Sequence, residues 1–117
     1  MPYILVVDDD NSVRQMLLLL LRSHDYEAAT ANNGAEALAM MRERRPCLVL
    51  LDIKMPVMDG WEFRDAQLAD PALADIPVVC MTGMVHPPDV SRKLGIPCLG
   101  KPLDFPSVVR AVERACG

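Results

Sequence analysis

The chain has 117 residues and a mass of 12.9 kDa, the size of one ordinary domain, so a single core spanning residues 1–117 is expected with no separate catalytic or DNA-binding module beside it. Hydrophobic residues at 51% and charged residues at 24% exclude a disordered chain. With 12 Lys plus Arg against 16 Asp plus Glu and a net charge of -4, no basic footprint for direct nucleic-acid binding exists.

Aromatics are only 4% while Met counts 8, so Leu, Val, Ile, Ala and Met must fill the core. The apolar run Met16 to Leu21 falls far short of the roughly 20 residues of a membrane helix, and no basic stretch precedes the first apolar segment. No membrane contact and a cytoplasmic location are therefore expected. Cys47, Cys80, Cys98 and Cys116 contain no CxxC pair and are accompanied only by His24 and His86, so zinc spacing is lacking. The cysteines read as small buried hydrophobes in a reducing cytosol, and the histidines as structural or exposed.

In chain order, Tyr3 to Val7 is apolar without alternation and stops on Asp8, Asp9 and Asp10, the pattern of a strand buried on both faces of a parallel sheet. Val13, Met16, Leu17, Leu20 and Leu21 then recur at helical spacing, with Asn11 or Ser12 as the expected N-cap and the leucine run facing the core. Tyr26 to Ala31 predicts a second strand. Asn33 and Glu36 resemble a capping box for a helix that Pro46 closes. Cys47 to Leu51 is again wholly apolar and again ends on an acid, Asp52.

Pro56 and the Asp59-Gly60 pair make 54–60 a loop, after which Trp61 to Leu68 predicts a third helix. Pro77 to Met81 predicts a fourth strand ending at Thr82. Only Val90 and Leu94 sit at helical spacing between Gly83 and Gly95, and Pro87 and Pro88 limit any helix there to about two turns. Pro97 to Leu99 is a very short fifth strand leading to Lys101. Phe105, Val108, Val109, Val112 and Cys116 mark a closing helix with Pro106 in its first turn.

Five strand–helix alternations with short connections predict an α/β, doubly wound, five-stranded parallel sheet with helices on both faces. Its ligand crevice should lie beyond the C-terminal strand ends. Asp8, Asp9, Asp52, Thr82 and Lys101 all map to that rim. Carboxylates gathered there need a compensating cation, and hard oxygen donors favour magnesium. A carboxylate beside such an ion can act as a nucleophile and become an aspartyl phosphate. Thr82 and Lys101 could then hold the added phosphoryl oxygens. Asp10 reads as a turn residue.

Val6-Val7-Asp8-Asp9, then Leu50 through Gly60 (LLDIKMPVMDG), Thr82-Gly83 and Lys101-Pro102 resemble the receiver domain of two-component response regulators over essentially the whole chain. The resemblance implies the flavodoxin-like (βα)5 fold with strand order 2-1-3-4-5. It implies that Asp52 accepts a phosphoryl group from a phosphohistidine of a sensor histidine kinase or phosphotransfer protein. It further implies Mg2+ held by Asp9, Asp52 and the backbone carbonyl of Lys54 with Asp8 assisting through water, and Thr82 and Lys101 on the phosphoryl group. A cis Lys101-Pro102 peptide is implied too. The domain would be a switch assisting only its own phosphotransfer and dephosphorylation, not a metabolic enzyme. It would act on a downstream protein partner, with a homodimer as one candidate.

Three features depart from the family pattern. Cys98 stands where an aromatic is usual, the 82–101 segment is shorter by roughly one helical turn, and Lys54 and Met84 occupy positions that tune phosphoryl loss. The contrasting expectation is a protein-interaction module that keeps the fold and signals without phosphorylation. A haloacid-dehalogenase-like phosphatase is disfavoured, because that chemistry needs an acid where Lys54 stands.

Overall fold

The computed structural model describes residues 2–53, 58–83 and 87–117. The chain alternates β1 (Tyr3–Val7), α1 (Asn11–Ser23), β2 (Glu27–Ala31), α2 (Gly34–Glu43), β3 (Leu48–Asp52), α3 (Gly60–Ala69), β4 (Val78–Thr82), α4 (Pro87–Leu94), β5 (Cys98–Gly100) and α5 (Phe105–Cys116). All five strands pair in parallel in the order β2-β1-β3-β4-β5, as expected. β1, β3 and β4 are buried at every position, which explains their unbroken apolar sequence. β2 and β5 are edges and only partly covered, hence their poorer apolar signal.

The alternation of side chains along each strand divides the core in two. Leu5, Val7, Val49, Leu51, Val78 and Cys80 face α2, α3 and α4 around Phe63. Ile4, Val6, Leu48, Leu50, Val79 and Met81 face α1 and α5. The leucine run of α1 is split by its own geometry: Leu17 and Leu21 are buried, whereas Leu19 is 71% exposed. Six adjacent apolar residues exceed one helical stripe, so the expectation that the run faces the core holds for only part of it.

The starts of α1, α2 and α3 are set by short side-chain acceptors. Asp10, not Asn11 or Ser12, caps α1, its Oδ1 accepting from the Ser12 amide at 2.8 Å. Asn33 caps α2 through the Glu36 amide, and Asp59 forms a full capping box with Glu62 at the start of α3. α4 does start at Pro87 and spans 8 residues, with Val90 and Leu94 buried. Gly95, at φ 70°, ends it in a left-handed conformation, with the Gly95 and Ile96 amides both donating to the Ser91 carbonyl.

The cysteines depart from their expected state. Cys47 and Cys116 are joined in a disulfide across a sequence separation of 69, with Cα atoms 5.5 Å apart, and both are half-buried. The fold brings the residue before β3 and the last residue of α5 to the same end of the molecule. Spacing along the chain carries no trace of that meeting. The reading as buried thiols in a reducing cytosol therefore fails for this pair. Cys80 and Cys98 are free; Cys80 is buried and Cys98 half-buried.

No helix among the described residues is long and apolar enough to cross a membrane.

Candidate acidic site at the sheet rim

β1 and β3 are adjacent parallel strands, so their C-terminal ends deliver Asp8, Asp9 and Asp52 to one place. One carboxylate oxygen from each of the three lies within 4.8 Å of the other two. Asp8 is fully buried, Asp52 is 6% exposed, and Asp9 faces solvent. The Lys101 ammonium reaches in from beyond β5 and donates to Asp8 Oδ2 at 3.1 Å and Asp52 Oδ1 at 3.2 Å. The Lys101 backbone amide also donates to the Thr82 carbonyl at 2.8 Å, which ties the end of β5 to the end of β4. The Lys101-Pro102 peptide is cis, as the resemblance implies.

Supporting contacts fix the carboxylates. Asp8 Oδ1 accepts from the Asp10 amide at 2.9 Å, and its backbone carbonyl accepts from Arg14 of α1 at 2.7 Å. Thr82, 2% exposed, ends β4 beside Asp52 in the register Asp52 to Met81. On the other side, a Cβ at Gly60 would lie 2.8 Å from the Ile53 Cα. The Gly60 amide donates to the Ile53 carbonyl at 2.8 Å, so glycine permits α3 to start directly against the end of β3.

Electrostatics follow from this packing. Burial, then the charge of Asp8, pushes the Asp52 carboxyl up to about 6, against the opposing pull of Lys101. Burial draws the Lys101 ammonium down, but its hydrogen bond to Asp8 and the charges of Asp52 and Asp8 leave it raised overall. Among the described residues, the Lys101 ammonium thus pairs with two of the three carboxylates, Asp8 and Asp52. Hard oxygen donors with a charge deficit fit a small divalent cation, so the cluster could hold a metal ion.

The structure therefore brings together Asp8, Asp9, Asp52 and Lys101, with Thr82 on the adjacent strand end. Lys54, to which the family resemblance assigns a metal-facing carbonyl, lies outside the described residues, as do Met84 and His86. Asp10 is a helix cap. Cys98 is half-buried, and its thiol is pushed up chiefly by burial. Sequence reasoning missed Gln67, fully buried on α3, whose amide nitrogen donates to the Leu73 and Ile76 carbonyls at 3.0 Å each. A lone Gln within a helix gives no sign of such a task. A cleft of about 600 Å3, lined by Leu48, Val79, Leu99, Arg110 and Arg114 among others, lies at the opposite end of the strands and includes none of the site carboxylates.

A five-stranded doubly wound parallel sheet with buried acids and a lysine at its rim defines a flavodoxin-like fold with an acidic site beyond its C-terminal strand ends. Residues 4–113 match the family described as Response regulator receiver domain, and the chain belongs to it. Among curated relatives, the DNA-binding response regulator MtrA of Mycolicibacterium smegmatis is 40% identical over 87 residues, 74% of this chain and 37% of that protein. The transcriptional regulatory protein ZraR of Escherichia coli O157:H7 is 41% identical over 116 residues, covering 96% of this chain and 26% of ZraR. The chain thus spans about a third or less of these relatives. Of solved structures, the chemotaxis response regulator CheY4 of Vibrio cholerae has a TM-score of 0.87 at 31% identity, with 98% of each chain covered.

Proposed function

We propose that this chain is a phosphorylation-dependent signalling switch with Asp52 as the phosphoacceptor. The observation that carries the reading is the Lys101 ammonium placed between Asp8 and Asp52, with Asp9 completing the acidic trio. In the transfer, a carboxylate oxygen of Asp52 bonds to phosphorus as the phosphorus–nitrogen bond of a phosphohistidine on a sensor kinase or phosphotransfer protein breaks. The histidine nitrogen retains the electron pair of the broken bond. Asp52 must be ionised to attack, and its raised pKa of about 6 leaves it mostly so at neutral pH.

Mg2+, bound by Asp9 and Asp52 with Asp8 assisting through water, would offset the charge that gathers between the carboxylates and the incoming phosphoryl group. The backbone carbonyl of Lys54 completes the proposed ligand set. Lys101 can then exchange its contact with Asp52 for a phosphoryl oxygen, and the Thr82 hydroxyl can donate to another. The modified domain would relay its state to a downstream protein partner without contacting nucleic acid or membrane itself. Residues 1–117 are proposed to act as one receiver domain.

Incubating the chain with Mg2+ and acetyl phosphate should add one phosphoryl group by intact mass, and Asp52→Asn should add none. A parent chain that stays unmodified with acetyl phosphate and with a phosphorylated histidine phosphotransfer domain would favour a phosphorylation-independent interaction module.

A further inference from the structure

The Cys47–Cys116 bond has no part in phosphoryl chemistry and lies at the other end of the fold. Cys47 immediately precedes β3, its amide donating to the Tyr3 carbonyl at 2.8 Å. Five strand steps separate it from Asp52, about 16 Å at 3.3 Å per residue. Cys116 is the last residue of α5, the helix that begins just beyond Lys101. One helix therefore runs from the acidic rim to the disulfide.

That helix is thinly anchored at its far end. Only Val108 and Val112 of α5 are buried. In its closing turn Glu113 and Arg114 are exposed, and Ala115 and Cys116 are half-buried. Short side chains at a helix end bury little surface, so without a further tie such a turn frays. The disulfide is that tie. Both cysteines are partly buried at the margin of the core cluster between α1, α5 and the sheet, whose centre is made by buried side chains such as Ile4, Leu17, Leu50, Met81, Val108 and Val112. Breaking the bond can therefore free the closing turn while leaving the sheet packed.

We propose that Cys47 and Cys116 form a reversible thiol–disulfide switch whose state sets the mobility of the closing turn of α5. A disulfide oxidant such as glutathione disulfide supplies the chemistry. One cysteine thiolate attacks the oxidant, its sulfur–sulfur bond breaks, and one glutathione thiolate leaves. The second cysteine thiolate then displaces the remaining glutathione from the mixed disulfide. Two protein thiols lose two electrons and two protons, and glutathione disulfide gains them, leaving as two glutathione thiols. Leu48 and Ala115, each beside one of the two cysteines, line the 600 Å3 cleft, so the wall of that cleft changes with the bond. The proposal rests on the position of the bond and stands apart from the chemistry of Asp52.

The test equilibrates the full chain across glutathione and glutathione disulfide mixtures, then alkylates free thiols and maps them by mass. Cys47 and Cys116 should lose reactivity together as a two-electron couple with a midpoint inside the series. Hydrogen exchange should then run about tenfold or more faster at the 113–117 amides of the reduced form, with β1 and β3 unchanged. A Cys47→Ser, Cys116→Ser double variant should show the reduced pattern in both buffers, and a Cys80→Ser variant should switch like the parent. A pair that stays oxidised, or stays reduced, across the whole series would overturn the proposal. So would identical exchange in the two states, or loosening spread through the sheet, which would make the bond a structural staple.

Discussion

Asp52 shows how a single residue can be costly and useful at once. Its carboxyl is buried beside Asp8, and its pKa rises from 3.8 to about 6 because burial, then Asp8, disfavours the charged form. A carboxyl whose folded pKa is raised favours folding while it is protonated. That contribution is complete below about pH 4 and lost as pH rises through about 6. The shift corresponds to at most about 3 kcal/mol. Asp52→Asn keeps the shape without the charge, so in magnesium-free buffer it should be more stable than the parent at pH 7, with the gap closing near pH 4. Urea unfolding at both pH values checks this; a variant less stable at pH 7 would refute it. Asp9 is exposed and not an ion-pair partner of Lys101, so Asp9→Ala should leave stability within about 0.5 kcal/mol. It should nonetheless weaken Mg2+ binding about tenfold or more by Trp61 emission or amide shifts, if the ion binds as proposed. At this scale the sequence shows which acids end buried strands, because an apolar run that stops on Asp is visible in the letters. It does not show that the buried member of the first pair is Asp8 and the exposed one Asp9.

The elements that aim these residues depend on polar contacts that hydropathy cannot display. Gln67 is the main case: it joins α3 to the 70–77 connection through Leu73 and Ile76 and accepts from Arg64 at 2.8 Å. Gln67→Leu keeps much of the volume but takes the side-chain donor from the Ile76 carbonyl and one of two donors from the Leu73 carbonyl, which keeps the Ile76 amide at 3.1 Å; a lost donor costs about 1–3 kcal/mol. Thermal or urea unfolding should register a loss of about 1–3 kcal/mol, and a neutral outcome would mean the Ile76 carbonyl finds another donor. Gly60→Ala tests the opposite end of α3. Its added methyl would press on the Ile53 backbone, a contact that only movement of the strand end or the helix start can relieve, so stability and phosphoryl uptake should both fall. The strands β1, β3 and β4 were legible because burial on both faces forces continuous apolar sequence. β5 was legible only by its place in the alternation, being three residues at an edge. The cap of α1 falls on Asp10 rather than on Asn11 or Ser12 because all three are competent acceptors and only backbone geometry chooses among them.

At the scale of the whole molecule, one parallel sheet separates a rim that carries the acids from a base that carries the disulfide. Alternation of strands and helices made the layered architecture readable, while strand order came from the family motifs and not from hydropathy. The Cys47–Cys116 link was unreadable because two residues 69 apart meet only once β3 and α5 are both in place. How a change at Asp52 leaves the site is also a property of the whole. A phosphoryl group adds about 1.5–2 negative charges, and it shifts a conformational population only as far as the two states differ in contacts with it. Thr82 and Lys101 stand at the ends of β4 and β5, the two strands next to α4. α4 is short and presents Val90 and Leu94 to the core, so its hold on the sheet is light. If Thr82 turns toward a phosphoryl oxygen as proposed, Cys98 at the start of β5 has no ring to move inward with it, so an aromatic reporter cannot carry the change. With acetyl phosphate and Mg2+, hydrogen exchange should therefore change most across 87–94, and Cys98→Tyr should leave the added mass unchanged while altering that exchange pattern. Unchanged protection of α4 alongside large changes confined to α1 or α5 would place the output elsewhere in the fold.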